Sequence, residues 1–338
     1  MPRENPLVSV VMPVYNAGAF LVPAMKSILQ QTFRDFEFIV INDGSSDNSS
    51  QIVRSFQDER IRFFEQENRG VASTLNRAID LAKGKWIWRH DADDTCLPDK
   101  LEQQVAFLSQ HQEFVMCSTQ IAFMTEKGCV AKSYKQPSDN FFLGNEYIDV
   151  RRSHFRPYSP ITHATVLIEK KVLEDLGGYR TFFKTAEDVD LWLRLIQKHK
   201  AAVIHRCDYF VRLNKSSATQ RLGNKNEIFR NLAFRFFEQR AERQTDDLQR
   251  GVEPETDSPP LEVKQEKKAA GRNYQSDLLL YYLPLHLNAH DYRASARIAM
   301  LALREGWRDI NTWKTLAILA LGKKATSKIV AAKKRIAH

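Results

Sequence analysis

The amino-acid sequence predicts an α/β fold: a mixed, mainly parallel sheet with flanking helices and a helical appendage at the C-terminal end. The near-continuous apolar runs at residues 7–14 (LVSVVMPV) and 36–42 (FEFIVIN) are typical of strands covered on both faces. Segments with helical spacing of apolar side chains separate such runs, for example Phe20, Ala24 and Ile28. Strands that alternate with helices at this spacing favour a parallel sheet joined by crossover helices.

The same reasoning places the other elements in chain order. Further strands are predicted at residues 61–65, 85–90, 114–124, 161–168 and 201–213. Helices are predicted at residues 19–32, from about residue 50, and at 71–83, 99–110, 187–199 and 224–250. Gly84 is expected to close the helix at 71–83.

The chain is expected to contain one large domain at residues 1–250. Residues 251–263 contain three prolines and no apolar periodicity, which predicts a linker. Residues 264–338 follow as a basic helical C-terminal region, with short helices expected at 274–337.

The net charge of +9 is concentrated in this C-terminal region. Residues 264–338 contain 15 Lys or Arg and 5 Asp or Glu. The rest of the chain contains 35 basic and 36 acidic side chains. A protein that binds nucleic acid through its main domain would carry its positive charge there, so the charge distribution argues against a nucleic-acid partner.

The sequence also predicts a cytoplasmic location. The four cysteines are widely spaced and form no CxxC pair, which favours free thiols in a reducing compartment. No charged and then apolar leader precedes the first strand. The longest apolar stretches, such as residues 278–285, are far shorter than the roughly 20 residues that span a bilayer.

Polar clusters follow three of the predicted strands directly. They are residues 13–16 (PVYN), 42–45 (NDGS) and 91–94 (DADD). Because ligands of parallel sheets bind beyond the carboxyl ends of the strands, these clusters predict one shared site.

The cluster at residues 91–94 has the most distinctive chemistry. Three carboxylates within four residues repel one another unless a cation or full solvation compensates them. In extended backbone Asp91 and Asp93 would point to the same side, where a hard ion such as Mg²⁺ takes carboxylate and phosphate oxygens together. The alternative is a solvated acidic turn before the next helix. The position of residues 91–94 beside the other two clusters argues against that alternative.

A second acidic group, Glu187 and Asp188, begins an amphipathic helix. Acidic residues in a first helical turn are favoured by the backbone dipole, which alone can explain them. Alternatively, a carboxylate there could act as general base for an acceptor hydroxyl. The absence of GxGxxG after the first strand, and of any GxxxxGK[ST] or GxSxG, argues against dehydrogenase, P-loop kinase and serine hydrolase functions.

Five segments of the chain together resemble glycosyltransferase family 2. In order they are VSVVMPVYNAG, INDGSSDNS, ENRGVASTLNRAI, GKWIWRHDADDTCLPDKLEQQ and GGYRTFFKTAEDVDLWLR. The resemblance covers residues 7–219 and implies a GT-A fold with a Rossmann-like sheet. It also implies inverting transfer of a sugar from a nucleotide-diphosphate sugar.

The resemblance further implies roles for individual residues of the donor site. Pro13 and Tyr15 would flank the nucleotide base, and Asp43 would accept a hydrogen bond from it. Arg69 would line the same pocket, and Asp91 would contact the ribose.

The resemblance implies two more roles, in cation binding and in catalysis. Asp93 would hold Mg²⁺ or Mn²⁺ on the diphosphate, and Asp188 would be the catalytic base. The RxHxxS stretch that many family members carry has Asn214 in the place of its histidine, so a second metal ligand would be a weaker amide oxygen. The QxxRW motif of processive synthases is missing, which favours addition of single sugars.

The predicted partners are a nucleotide-sugar donor and a sugar or lipid-linked acceptor, in cell-surface polysaccharide or glycolipid assembly. The basic C-terminal region either docks on the anionic inner face of the plasma membrane or forms a solvated helical cap. Two other functions stay open: a nucleotide-sugar-binding protein without turnover, and a metal-dependent nucleotidyltransferase, which would release pyrophosphate.

Overall fold

The computed structural model describes residues 5–125, 128, 130–131, 145–155, 159–213, 225–252, 254, 299–300, 302–304, 313 and 316. These residues fall into two units. The first contains residues 5–121, 145–155, 159–212, 225–252 and 254, and the second contains the remaining described residues. The predicted linker and basic C-terminal region lie almost entirely outside the described residues, so those boundaries and the membrane docking stay predictions. No helix in the described part of the chain has the length and apolarity to cross a bilayer.

The strands and helices of the described residues agree closely with the sequence pattern in the first half of the chain. The strands are β1 (Val8–Val14), β2 (Phe36–Asp43), β3 (Ile61–Gln66), β4 (Trp86–Arg89), β5 (Thr95–Cys96), β6 (Phe114–Met124), β7 (Val130–Ala131), β8 (Tyr147–Asp149), β9 (Leu167–Glu169) and β10 (Lys200–Arg212). The α-helices are α1 (Gly18–Leu29), α2 (Ser49–Ser55), α3 (Val71–Leu81), α4 (Lys100–Gln110), α5 (Lys170–Asp175), α6 (Glu187–Leu195) and α7 (Lys225–Arg243). Short 3₁₀ helices occur at Arg152–Phe155, His163–Thr165 and Leu248–Arg250.

The strands form one mixed sheet in the order β3-β2-β1-β4-β9-β6-β10-β5, with β7 beside β6 and β8 beside β10. The pairs β1–β2, β1–β4 and β2–β3 are parallel. The pairs of β4 with β9, β6 with β9, and β10 with β5 and β8 are antiparallel. The mixed α/β fold is therefore confirmed, and its parallel part is limited to β1–β4, the strands joined by helical crossovers.

Strand β2 shows why the first strands have nearly continuous apolar sequences. Ile39 and Ile41 pack in a core with α3 and α6, whereas Phe38 and Val40 pack in a second core with α1. Because successive side chains of a strand point to opposite faces, a strand between two helical layers is apolar on both sides through most of its length.

Two predictions in the second half of the chain are wrong in part. Of residues 161–168 only 167–168 form a strand, because Thr165 bonds back to the carbonyl of Thr162 through its amide (3.0 Å) and its hydroxyl (2.8 Å), which closes a 3₁₀ turn before β9. The predicted helix at 224–250 ends at Arg243, because Gln244 adopts a positive φ of 64° that cannot continue an α-helix.

Gly84 lies where β4 approaches β1 so closely that only glycine fits. A Cβ at Gly84 would lie 2.5 Å from the amide nitrogen of Ser9 and 2.6 Å from the carbonyl carbon of Val8. We expect Gly84→Ala to lower the free energy of unfolding by about 1–3 kcal/mol, the usual cost of overpacking. Urea unfolding measures it, with the exposed neighbour Lys83→Ala as the control. Equal midpoints for Gly84→Ala and wild type would contradict the close approach.

Candidate active site

The acidic segment after β4 forms a turn at residues 92–93. The extended backbone from which we expected Asp91 and Asp93 to face the same side is therefore absent, and that prediction is wrong. The last residue of β10, Arg212, stabilises the turn through two hydrogen bonds. The Arg212 amide donates to Asp94 Oδ1 (2.7 Å), and its Nε donates to the carbonyl of Asp93 (2.8 Å).

Asp94 is the buried anchor of this turn. Burial raises its pKa well above the usual range, and the charges of Asp93 and Asp91 raise it further. The hydroxyl of Tyr209 also hydrogen bonds to Asp94 and accepts the amide hydrogen of Asp91 at 3.1 Å. Asp94 thus shapes the turn from inside the protein, whereas Asp91 and Asp93 are partly exposed.

Asp91 is oriented by an arginine from the last position of β4. Arg89 is only 6% exposed, and its two terminal nitrogens contact the two carboxylate oxygens of Asp91 at 2.7 and 2.5 Å. A bidentate contact of this kind fixes both the position and the plane of a carboxylate. The side chain of Asp91 remains 34% exposed, so it can still contact a ligand.

Asp93 is the partly exposed carboxylate of this turn that we expect to hold a cation. Among the described residues, no three His, Cys, Asp or Glu side chains are grouped to hold a metal ion, and Asn214 lies outside them. Mg²⁺ is commonly held by one or two carboxylates together with ligand phosphates and water. A single partly exposed carboxylate on a braced turn fits that mode, so Mg²⁺ or Mn²⁺ at Asp93 stays a prediction.

Asp43, at the end of β2, organises the loop that carries Arg69. Its Oδ1 accepts hydrogen bonds from the Gln66 side chain (2.7 Å) and the Arg69 amide (2.9 Å), and its Oδ2 accepts one from the Gly70 amide (2.9 Å). Arg69 itself is exposed. The structure therefore gives Asp43 a loop-positioning role, and its hydrogen bond to a nucleotide base stays a prediction.

The segment after β1 is locked to the segment after β2. Tyr15 is 44% exposed at the strand end, and Pro13 is half-buried. Asn16 has a positive φ of 50° and accepts the Ser46 amide hydrogen (2.8 Å), while the Gly18 amide donates to Asp47 (2.9 Å). Sequence analysis assigned no role to Asn16 or Asp47, although short polar side chains in turns often bond to neighbouring backbone.

Glu187 and Asp188 form the first turn of α6, after Ala186 in the left-handed conformation (φ 57°). Burial, with the charge of Asp188 second, raises the pKa of Glu187 to about 7. Burial also raises the pKa of Asp188, although its Oδ1 accepts the Val189 amide hydrogen (2.8 Å) and Arg89 opposes the rise. Carboxyls with raised pKa values are typical of functional sites where protons are exchanged.

His163 and Tyr179 border this acidic pair. His163 Nδ1 lies 3.8 Å from Glu187 Oε1, and its Nε2 lies 2.8 Å from the Tyr179 hydroxyl. Burial, and then the charge of Arg89, keeps the pKa of His163 well below its usual value, so the ring is neutral. The sequence pattern predicted only a strand around His163 and did not reveal its place beside Glu187.

Electrostatic interactions join the end of β4 to the start of α6. The charge of Arg89 lowers the pKa of both Glu187 and Asp188, and the charge of Asp91 acts on Glu187. The structure thus brings together the two acidic groups that the sequence places almost 100 residues apart.

The model of the family described as Glycosyl transferase family 2 matches residues 9–177, half of the chain. EpsE of Bacillus subtilis, a protein named as a glycosyltransferase, is 30% identical over 58% of this chain and 69% of its own length. The chain belongs to glycosyltransferase family 2. An uncharacterized glycosyltransferase of Haemophilus influenzae is 31% identical to this family 2 enzyme over 63% of this chain and 82% of its own.

The length that this family 2 glycosyltransferase shares with its relatives varies. It spans only 35% of an uncharacterized glycosyltransferase of Rickettsia felis. The solved structure of S. aureus TarS 1-349 with UDP has a TM-score of 0.51 and 18% identity, over 81% of this chain and 80% of TarS. The TarS 1-349 complex with UDP-GlcNAc has a TM-score of 0.53 and 16% identity, over 87% of this chain and 83% of TarS. At this identity the likeness establishes the GT-A fold alone.

Proposed function

We propose that this glycosyltransferase moves a single sugar from a nucleotide-diphosphate sugar to an acceptor hydroxyl, with inversion and with help from Mg²⁺ or Mn²⁺. One observation carries the proposal: Asp91 and Asp93 are partly exposed directly after β4, and Arg89, which binds Asp91, also acts through its charge on Asp188 of α6. One cation thus influences both a donor-binding acid and a proton acceptor.

The side chains of this site have separate tasks in the proposed reaction. Asp91, held by Arg89, would bind the ribose, and Asp93 would hold the divalent ion. That ion, when bound, neutralises negative charge that develops on the departing diphosphate. Asp188 would take the proton of the acceptor hydroxyl as its oxygen attacks the sugar carbon from the face opposite the leaving group, which inverts that carbon.

The TarS complexes suggest the first donors to test. UDP and UDP-GlcNAc are bound in TarS structures that share this fold, so a uridine-diphosphate sugar is our first choice of donor class. Assembly of cell-surface polysaccharide or glycolipid on a sugar or lipid-linked acceptor, with docking of the basic C-terminal region on the membrane, belongs to the same proposal.

The test is a product assay on the full chain with UDP-, GDP- and dTDP-sugars, with Mn²⁺, with Mg²⁺ or with a chelator. Release of nucleoside diphosphate that depends on the cation supports the proposal. Pyrophosphate release would identify a nucleotidyltransferase instead. Donor binding without any product would identify a binding protein and overturn the proposed activity.

Asp93→Asn is expected to reduce cation-dependent turnover about 100-fold, because an amide is a weaker and uncharged ligand; loss of one preorganised electrostatic group costs about this much. The measurement is the rate against Mn²⁺ concentration, which should saturate at a higher concentration in the variant. Asp80→Asn, an exposed position on α3, serves as the control and should match wild type. An unchanged Mn²⁺ dependence in Asp93→Asn would exclude Asp93 as the ligand.

A further inference from the structure

We propose that Arg89 is a positioning residue that serves both halves of the active site. Its guanidinium fixes the carboxylate of Asp91 for the donor, and its charge keeps Asp188 ready to accept a proton. The inference rests on the proposed function and adds a residue to which sequence analysis gave no role.

The geometry of Arg89 supports the first task. Its two terminal nitrogens contact both oxygens of Asp91, and its amide donates to the Val166 carbonyl (3.2 Å), which pins it at the end of β4. Its Nε is buried and has no hydrogen-bond partner among the described residues. The guanidinium therefore directs its hydrogen bonds to Asp91. Because Arg89 is buried, this bidentate contact is strong.

The second task follows from the approach of β4 to α6 and from the charged groups around the pair Glu187–Asp188. The Arg89 amide donates to the Val166 carbonyl, and His163, three residues before Val166, lies 3.8 Å from Glu187. From β4 come Arg89 and Asp91, and from α7 comes Arg230, which also donates to the Phe155 carbonyl (2.9 Å). The other titratable groups facing the pair are neutral: His163 because of its lowered pKa, and Tyr179 because burial raises its pKa.

Both cations near the pair, Arg89 and Arg230, lower the pKa of Asp188. Arg89 also lowers the pKa of Glu187, which the charge of Asp91 raises. Two adjacent buried carboxyls do not both ionise easily without a nearby positive charge. Arg89 supplies that charge while it is paired with a residue of the donor site.

Two substitutions separate the tasks. In Arg89→Met, which keeps an unbranched side chain but removes the charge and the hydrogen-bond donors, we expect the KM for the donor to rise about tenfold, since the Asp91 carboxylate loses its bidentate partner. We also expect the acidic limb of the kcat profile to move about one unit to higher pH, since the proton acceptor loses a stabilising cation. Arg89→Lys should restore the acidic limb but not the donor KM, because an ammonium supplies charge without a planar fork.

A matched control is Arg62→Met. Arg62 also pairs with a buried carboxylate of the sheet, Glu37, but lies on β3 among groups that the site does not use. It should leave both the donor KM and the acidic limb unchanged. If Arg89→Met lowers kcat equally at all pH values with an unmoved limb and unchanged KM, the role of Arg89 is only structural and the proposal fails.

A readout without turnover separates this inference from the proposed function. ¹³C-carboxyl NMR titration of the full chain, free of donor and metal, follows Asp188 by comparison with Asp188→Asn. A higher Asp188 pKa in Arg89→Met supports the charge role even if no donor is turned over, and an unchanged pKa overturns it. If Arg89→Met does not fold, Arg89→Lys decides: a wild-type donor KM in that variant would overturn the task assigned to the fork.

Discussion

Asp188→Asn is expected to reduce turnover about a thousandfold while the KM for the donor stays close to wild type. A general base contributes about 10²–10⁴ to a rate, and an amide cannot accept the proton of the attacking hydroxyl. Asp188 lies on α6 and is assigned to the proton of the acceptor, whereas strand-end residues would bind the nucleotide, so donor binding should survive. Steady-state rates with donor and acceptor varied separately measure the two effects.

Glu187→Gln is the matched control for this experiment, because Glu187 is the adjacent carboxyl in the same helical turn. Its pKa of about 7 means that it is largely protonated below neutral pH, where glutamine imitates it. The variant should keep most of its activity there. Without the negative charge of Glu187, the pKa of Asp188 should fall, and the acidic limb should move to lower pH. A larger loss in Glu187→Gln than in Asp188→Asn would mean that Glu187 is the base.

The first four strands and their crossover helices could be predicted because each carries its own evidence. A strand buried on both faces carries apolar residues on both sides, as β2 does at residues 38–41, and the polar residues at its carboxyl end mark where the strand stops. For the same reason the sequence located Asp43, Asp91 and Asp93 at one edge of the sheet without any knowledge of strand order.

The antiparallel part of the sheet could not be predicted in the same way. Strands β5, β8 and β9 have two or three residues each, too few for any periodicity to show. β5 and β8 pair with β10, and β9 pairs with both β4 and β6. Pairing between strands that are distant in the chain cannot be predicted from local sequence. The 3₁₀ turn that carries His163 depends on Thr162 and Thr165, whose residue types suit a strand equally well.

The chemistry of the site was only partly readable. The Arg89–Asp91 pair has a local signal, since residues two apart near a strand end can face the same side. The approach of His163 to Glu187 has none, because 24 positions separate them and the fold alone brings them together. The left-handed conformation of Ala186 could not be predicted either, because alanine rarely adopts it and no glycine or asparagine stands at that position.

Asp190→Ala is expected to lower the free energy of unfolding by about 3–5 kcal/mol, the cost of removing one partner from a buried ion pair. Asp190 is fully buried on α6 between Arg180 and Arg194, each of which donates from Nε to its Oδ2 at 2.9 Å. Its removal would leave two guanidinium groups in the interior with one carboxylate fewer. Urea unfolding measures the loss, and Asp175→Ala, from an exposed pair with Lys171, should cost less than about 1 kcal/mol.

The ion pairs around Asp190 also predict how much free energy of unfolding Asp190→Ala should cost when Arg194 is replaced as well. Arg180 binds Asp246 with both oxygens at 2.9 Å, so it keeps a carboxylate partner when Asp190 is gone. Arg194 has no such second carboxylate and otherwise donates only to the carbonyls of Leu176 and Gly178 among the described residues. Asp190→Ala should therefore cost less in an Arg194→Met background than in wild type, by more than about 0.5 kcal/mol. Strict additivity in this double-mutant cycle would show that Arg194 does not depend on Asp190, and that something other than this ion pair secures the helix bearing Asp188.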